Sequence, residues 1–177
     1  MIVNTRPSVL ANKTNELLAR SGIEFMHEPL TKILSISPSN QALEKLQQLD
    51  SYDVIIFTSQ TAAKFGAPYL QKHTSKNLNL LIMAIGLATQ RVLSAHGLVS
   101  EVPLGFNSAG LAELIEQSKH EKCLIFCGGK QPQLSFHTPV TLDTFSCYKV
   151  IDEESIELSN ITGNRKAIFL IYNIQTL

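Results

Sequence analysis

Short, wholly apolar runs alternate along the chain with stretches whose apolar residues recur every three or four positions. In "YDVIIFTSQTAAKF" (52–65), Val54, Ile55, Ile56 and Phe57 come first, Thr58, Ser59, Gln60 and Thr61 follow, and a helical pattern begins. The same order recurs. "MIVNTR" predicts a strand, and Pro7 opens a helix over "PSVLANKTNELLARSG" that Gly22 stops. "EFMHEPLTKILSIS" is extended, with Pro29 arguing against a central strand, and "NQALEKLQQLDS" is a second helix. "LNLLIMAIG" is a strand, "LATQRVLSAHG" a helix closed by Gly97, and "VSEVPL" a short extended piece. "NSAGLAELIEQS" is a helix capped by Asn107 or Ser108, and "KCLIFCGG" is another strand. The pattern then breaks. "KQPQLSFHTPVTLDTF" has two prolines and no helical face, which predicts a loop where a covering helix is due. "SCYKVID" is extended, and "RKAIFLIYNIQTL" predicts a last strand.

Apolar strands alternating with helices predict a parallel sheet covered on both faces. Ligands bind such sheets where strands end and helices begin. Ser59, Gln60 and Thr61 fall at such a place, beside the unpaired N–H groups of the next helix, which can hold an anionic oxygen without a charged side chain. Asn107 and Ser108, and the Gly128–Gly129 pair, occupy equivalent points. The same residues also read as plain helix caps and a turn, which need no ligand.

Composition narrows the function. With 15 basic and 15 acidic side chains in 177 residues, the chain lacks the basic footprint of a nucleic-acid binder. No apolar run approaches the roughly 20 residues that span a bilayer, and "MIVNTRPS" does not read as a signal peptide. Three cysteines, with Cys123 and Cys127 in an apolar run, predict free thiols in a reducing, cytoplasmic setting. Dinucleotide and P-loop glycine motifs, a nucleophile elbow, H-E-x-x-H and C-x-x-C are absent, and the five histidines are scattered. The residues alone therefore predict an α/β protein with polar strand ends and no metal or cofactor.

The ordered set "TRP" (5–7), "YDVIIFTS" (52–59), "IGLATQRVLSAHG" (85–97), "VPLGFNSAGLAELI" (102–115), "LIFCGG" (124–129) and "CYKV" (147–150) resembles the uroporphyrinogen-III synthase family. The resemblance implies two flavodoxin-like α/β lobes with parallel sheets, joined by two extended linkers. Lobe one would take residues 1–29 and 153–177, lobe two residues 38–144, and the linkers residues 30–37 and 145–152. Lobe one is expected to continue past Leu177 in the family, so here it would be incomplete, with self-association one way of completing it. Cys127 stands where the family often has arginine.

The implied reaction closes hydroxymethylbilane, a linear tetrapyrrole, to uroporphyrinogen III with inversion of ring D. It needs no cofactor, metal, nucleic acid or membrane. By the resemblance, the catalytic residues are Tyr148, the linker tyrosine proposed as general acid, and Thr89, which follows the "IG" turn that contains Gly86 and is placed to donate to a substrate carboxylate. Thr5 and Arg6 match the amino-terminal motif. Thr58, Ser59, Gln60, Asn107, Ser108, Gly110 and Gly128 match the remaining substrate loops. Two other readings stand beside this one: a truncated relative that binds tetrapyrrole without turnover, and a flavodoxin-like flavin carrier whose "TSQTA" cradles a phosphate.

Overall fold

The computed structural model of the protein describes residues 1–74, 80–105, 107–129, 134–153, 163 and 166–172. Its apolar runs are strands and its periodic segments helices. In chain order these are β1 (Ile2–Asn4), α1 (Ser8–Arg20), β2 (Phe25–His27), β3 (Thr31–Ser35), α2 (Asn40–Gln47), β4 (Val54–Phe57), α3 (Gln60–His73), β5 (Leu81–Ala84), α4 (Leu87–Ala95), α5 (Ser108–Gln117), β6 (Lys122–Gly128), β7 (Thr141–Asp152) and β8 (Ile168–Leu170). Side-chain oxygens start three helices: Ser39 accepts from Ala42 N–H, Ser59 from Ala62 N–H and Asn107 from Gly110 N–H. Gly22 and Gly97 end two others at φ +65° and +71°, a conformation costly for any side chain.

The chain divides into two compact units, Met1–Leu34 with Val150–Leu177, and Ser35–Lys149. In the first, β1 lies between β2 and β8, parallel to both, with α1 packed alongside. Pro29 sits between β2 and β3 and belongs to neither. The larger sheet has the order β3-β7-β6-β4-β5, with β7, β6, β4 and β5 mutually parallel. Its strands bury both faces. Ile55, Phe57, Leu124, Phe126 and Phe145 join Ala62, Ala63, Ala67, Leu70 and Leu93 from α3 and α4. Val54, Ile56, Cys123, Ile125 and Cys127 join Leu111 and Ile115 from α5 on the opposite face.

One sequence expectation needs correction in detail. Residues 141–144 are not the tail of a loop but the start of β7, paired with β6 from Lys122↔Thr141 onward. Their polar character conceals a strand that the ladder with β6 stabilises. "VSEVPL" contributes only a single parallel bridge, Met83↔Glu101, at the sheet edge. The expected loop after Gly129 has no helix among its described residues. Leu134, Phe136 and Val140 nonetheless pack on the α5 face, and Glu116 of α5 accepts the Thr138 N–H at 2.9 Å and that of His137. Residues 134–140 thus cover part of the face on which α5 packs.

Candidate functional site at the carboxyl ends of the larger sheet

Strand register decides which residues share the carboxyl rim. Phe57 pairs with both Ala84 and Phe126, and Phe126 with Phe145. Thr58, Ile85 and Cys127 therefore follow one residue beyond that row, and Ser59, Gly86 and Gly128 two. The rings in the row pack tightly: Phe57 stacks on Phe126 at 4.5 Å, and Phe126 meets Phe145 at 4.8 Å. This rigid base holds the rim above it in place.

Three of the expected site residues come together. Tyr148, half-buried on β7, has its hydroxyl 3.3 Å from Ser59 Oγ, either group donating. Its ring lies against Gly128, where a methyl group would be 2.8 Å from Cζ and 3.1 Å from the hydroxyl oxygen. Phe65 of α3 is near it, with ring centroids 6.3 Å apart. Burial pushes the Tyr148 phenol above its usual pKa; the Ser59 hydrogen bond pulls the other way, while the Cys147 and Cys127 thiols add to the rise. Tyr148 is therefore a protonated donor at neutral pH.

The other expected residues have different surroundings. Thr58 donates its hydroxyl to Phe126 C=O at 3.2 Å, so that group is already engaged. Gln60 is exposed at the first position of α3. Gly86 is the extended cap residue of α4, with its C=O accepting from Thr89 and Gln90 N–H. Thr89 is buried in the first turn of α4, on the face that carries Leu93 into the core. At the start of α5, Asn107 and Ser108 are exposed, and Gly110 lies against Gly105, whose Cα would be 3.2 Å from a methyl group there. Thr5 and Arg6 belong to the smaller unit. Thr5 donates to Leu170 C=O at 2.6 Å, and the Arg6 guanidinium lies 4.8 Å from the centre of the Tyr172 ring. Asn173, the next residue in the chain, lies outside the described residues.

Sequence reading missed what seats Tyr148. The β6–β7 register shifts between Cys127 and Gly128, so Cys127 faces Ser146 while Gly128 faces Tyr148, leaving Cys147 as an extra residue. Nothing in the linear pattern marks such a bulge. Among the described residues no helix is long and apolar enough to cross a membrane, and no three or more His, Cys, Asp or Glu residues gather to hold a metal.

Comparison with known proteins places this rim in a context. Residues 12–136 match the family described as Uroporphyrinogen-III synthase HemD. No curated protein matches the sequence. Two solved structures from the extremely thermophilic bacterium Thermus thermophilus are similar in fold. One is a selenomethionine-labelled mutant uroporphyrinogen III synthase, 14% identical, with a TM-score of 0.59, aligned over 86% of this chain and 63% of its own. The other is the wild-type enzyme, 15% identical, with a TM-score of 0.50, aligned over 86% and 62%. This chain thus spans less than two thirds of the length of either. With the family match extending over well over half of its residues, the chain belongs to the uroporphyrinogen-III synthase family.

Proposed function

We propose that this chain carries out the family's reaction as a cyclising lyase, closing hydroxymethylbilane to uroporphyrinogen III through a spiro intermediate at ring D. The pyrroles of the bilane expel hydroxide by their own electron release, and the free bilane closes without inversion. The protein's task is then to hold ring D so that its substituted carbon attacks first, which is selection between two transition states by orientation. Tyr148 is the general acid: its O–H protonates the departing hydroxyl, which leaves as water. Ser59 aims that proton. The N-termini of α3, α4 and α5, with Gln60, Gly86, Asn107, Ser108 and Gly110, take substrate carboxylates. Thr58 and Thr89 complete the set that the larger unit offers the substrate.

The observation that carries the reading is the Tyr148 phenol, fixed over Gly128 and against Ser59 at the carboxyl rim, with its ionisation pushed upward. The family match ends at residue 136, so Tyr148 enters by geometry and motif rather than by that match. The test is to supply bilane to the purified protein and resolve the isomers. Wild-type protein is expected to give mainly type III. Tyr148→Phe should slow turnover toward the low end of the roughly 10²–10⁴-fold expected of a general acid, because the leaving group departs unaided. A type I to type III ratio no different from buffer alone defeats the proposal.

A further inference from the structure

We infer that Gly128 is a positioning residue for Tyr148, acting through its lack of a side chain and together with the one-residue bulge at Cys147. The inference deepens the proposed function, which supplies the reason why Tyr148 must be held. Side chains alternate along β7, with Phe145 and Cys147 packed into the cluster beneath α3. Regular alternation would send Tyr148 to the opposite face. The extra residue in the β6–β7 ladder returns it to the α3 face, where it packs on the same cluster within reach of Ser59. Cys147 holds the bulge from inside: its single S–H lies within reach of two acceptors, Cys127 C=O at 3.4 Å and Ala62 C=O at 3.6 Å. Ser146 Oγ donates to Gly128 C=O at 3.3 Å on the same stretch.

Gly128 is not needed for its conformational freedom. Among the described residues the glycines with positive φ are Gly22, Gly97 and Gly163, so the backbone at 128 would accept alanine. What alanine would meet is the phenol: Cζ at 2.8 Å, Cε2 at 2.9 Å and the hydroxyl oxygen at 3.1 Å. These atoms lie at the far end of a half-buried side chain that can swing outward. The bare α-carbon of Gly128 is therefore one wall of the slot that holds the proton donor, and Ser59 is the other. A side chain at this position would leave the strand intact and remove the slot.

The experiment is Gly128→Ala, read in three ways. The ultraviolet titration of Tyr148, isolated by difference against Tyr148→Phe, is expected to fall toward the ordinary phenol value of about 10 as the ring moves into water. The melting temperature should change by no more than a few degrees. The type III fraction should drop, and Gly128→Ala added to Tyr148→Phe should lower it little further. If Gly128→Ala instead lowers the melting temperature sharply, adding Tyr148→Ala must restore it, since the clash is with the ring. An unmoved Tyr148 titration, or a destabilisation that Tyr148→Ala does not relieve, overturns the inference. If the titration moves but Tyr148→Phe leaves the isomer ratio untouched, Gly128 still seats the phenol and the acid role alone has failed.

Discussion

Gly66 sits where α3 crosses the aromatic row, and a methyl group added there would run into Phe126 Cδ1 and lie 3.1 Å from Phe57 Cε1. Phe126 has no room to retreat, being stacked on Phe57 on one side and held by the tilted Phe145 ring on the other. Two effects of Gly66→Ala oppose each other. Helix propensity gains up to about 1 kcal/mol, while forcing atoms into a filled core costs about 1–3 kcal/mol. The second wins, and Gly66→Ala is expected to lower the melting temperature by roughly 2–6 °C, read by thermal denaturation with circular dichroism. An unchanged or higher value would mean that the close helix–sheet approach is unimportant. The sequence offers no warning of this. In "KFGAPYL" Gly66 looks like a weak point in a helix, and its reason lies on two distant strands. Ser59 is legible by contrast, because an N-cap is a local signal, although its contact with Tyr148 is not.

Between elements, the amino end of the larger sheet is tied by a polar cluster unrelated to the rim. Asp143 of β7 accepts from Tyr52 O–H at 2.9 Å and pairs with Lys45 Nζ of α2 at 3.1 Å, while Lys45 also donates to Thr144 C=O. Burial pushes the Asp143 carboxyl up, but the bonds from Lys45 and Tyr52 outweigh it and hold it below the usual range. Burial and the Asp143 carboxylate both push the Tyr52 phenol upward. A carboxyl lowered on folding stabilises above its unfolded value near 4 and loses that contribution as pH falls through the folded value. A raised phenol stabilises below about 10 and loses its contribution as pH climbs through the folded value. The cluster should therefore leave stability flat between those limits. Lys45→Met is expected to cost about 1 kcal/mol at pH 7, since the pair is partly exposed, and that deficit should shrink as pH falls below about 4 and Asp143 takes up its proton. A melting-temperature series from pH 3 to 7 checks this, and a deficit that stays constant across the series, or none at pH 7, would remove the pairing. The same residues explain why the start of β7 reads as a loop in the sequence. Thr141, Asp143 and Thr144 break the apolar signal because they serve this cluster and the ladder, whereas Val54–Phe57 is apolar throughout and declares itself.

At the scale of the molecule, the two sheets differ in how the chain supplies them. The larger one is assembled from β3 to β7 without interruption, Thr31 to Asp152, and both hydrophobic clusters lie inside that stretch. The smaller sheet needs β1 and β2 from one end of the chain and β8 from near the other. Hydrophobic periodicity finds the strands but cannot say which of them share a sheet, so this division is legible only through the ordered family motifs. It has a thermodynamic consequence. A segment of residues 30–152, about 120 residues, has the size of an ordinary domain and keeps every strand of the larger sheet. It should fold alone, with a cooperative transition and the near-ultraviolet circular dichroism of the Phe57–Phe126–Phe145 row. Tyr148 should also keep its raised titration, because Ser59, Gly128 and the Cys147 bulge all travel with it. Residues 1–29 alone should stay unfolded, as β1 would lack β8 and the few buried apolar residues there, Val3, Ala11 and Leu18, cannot offset the chain entropy lost on ordering. A 30–152 fragment without near-ultraviolet signal, or one whose Tyr148 ionises at the ordinary value, would show that the seat of the phenol depends on the rest of the chain.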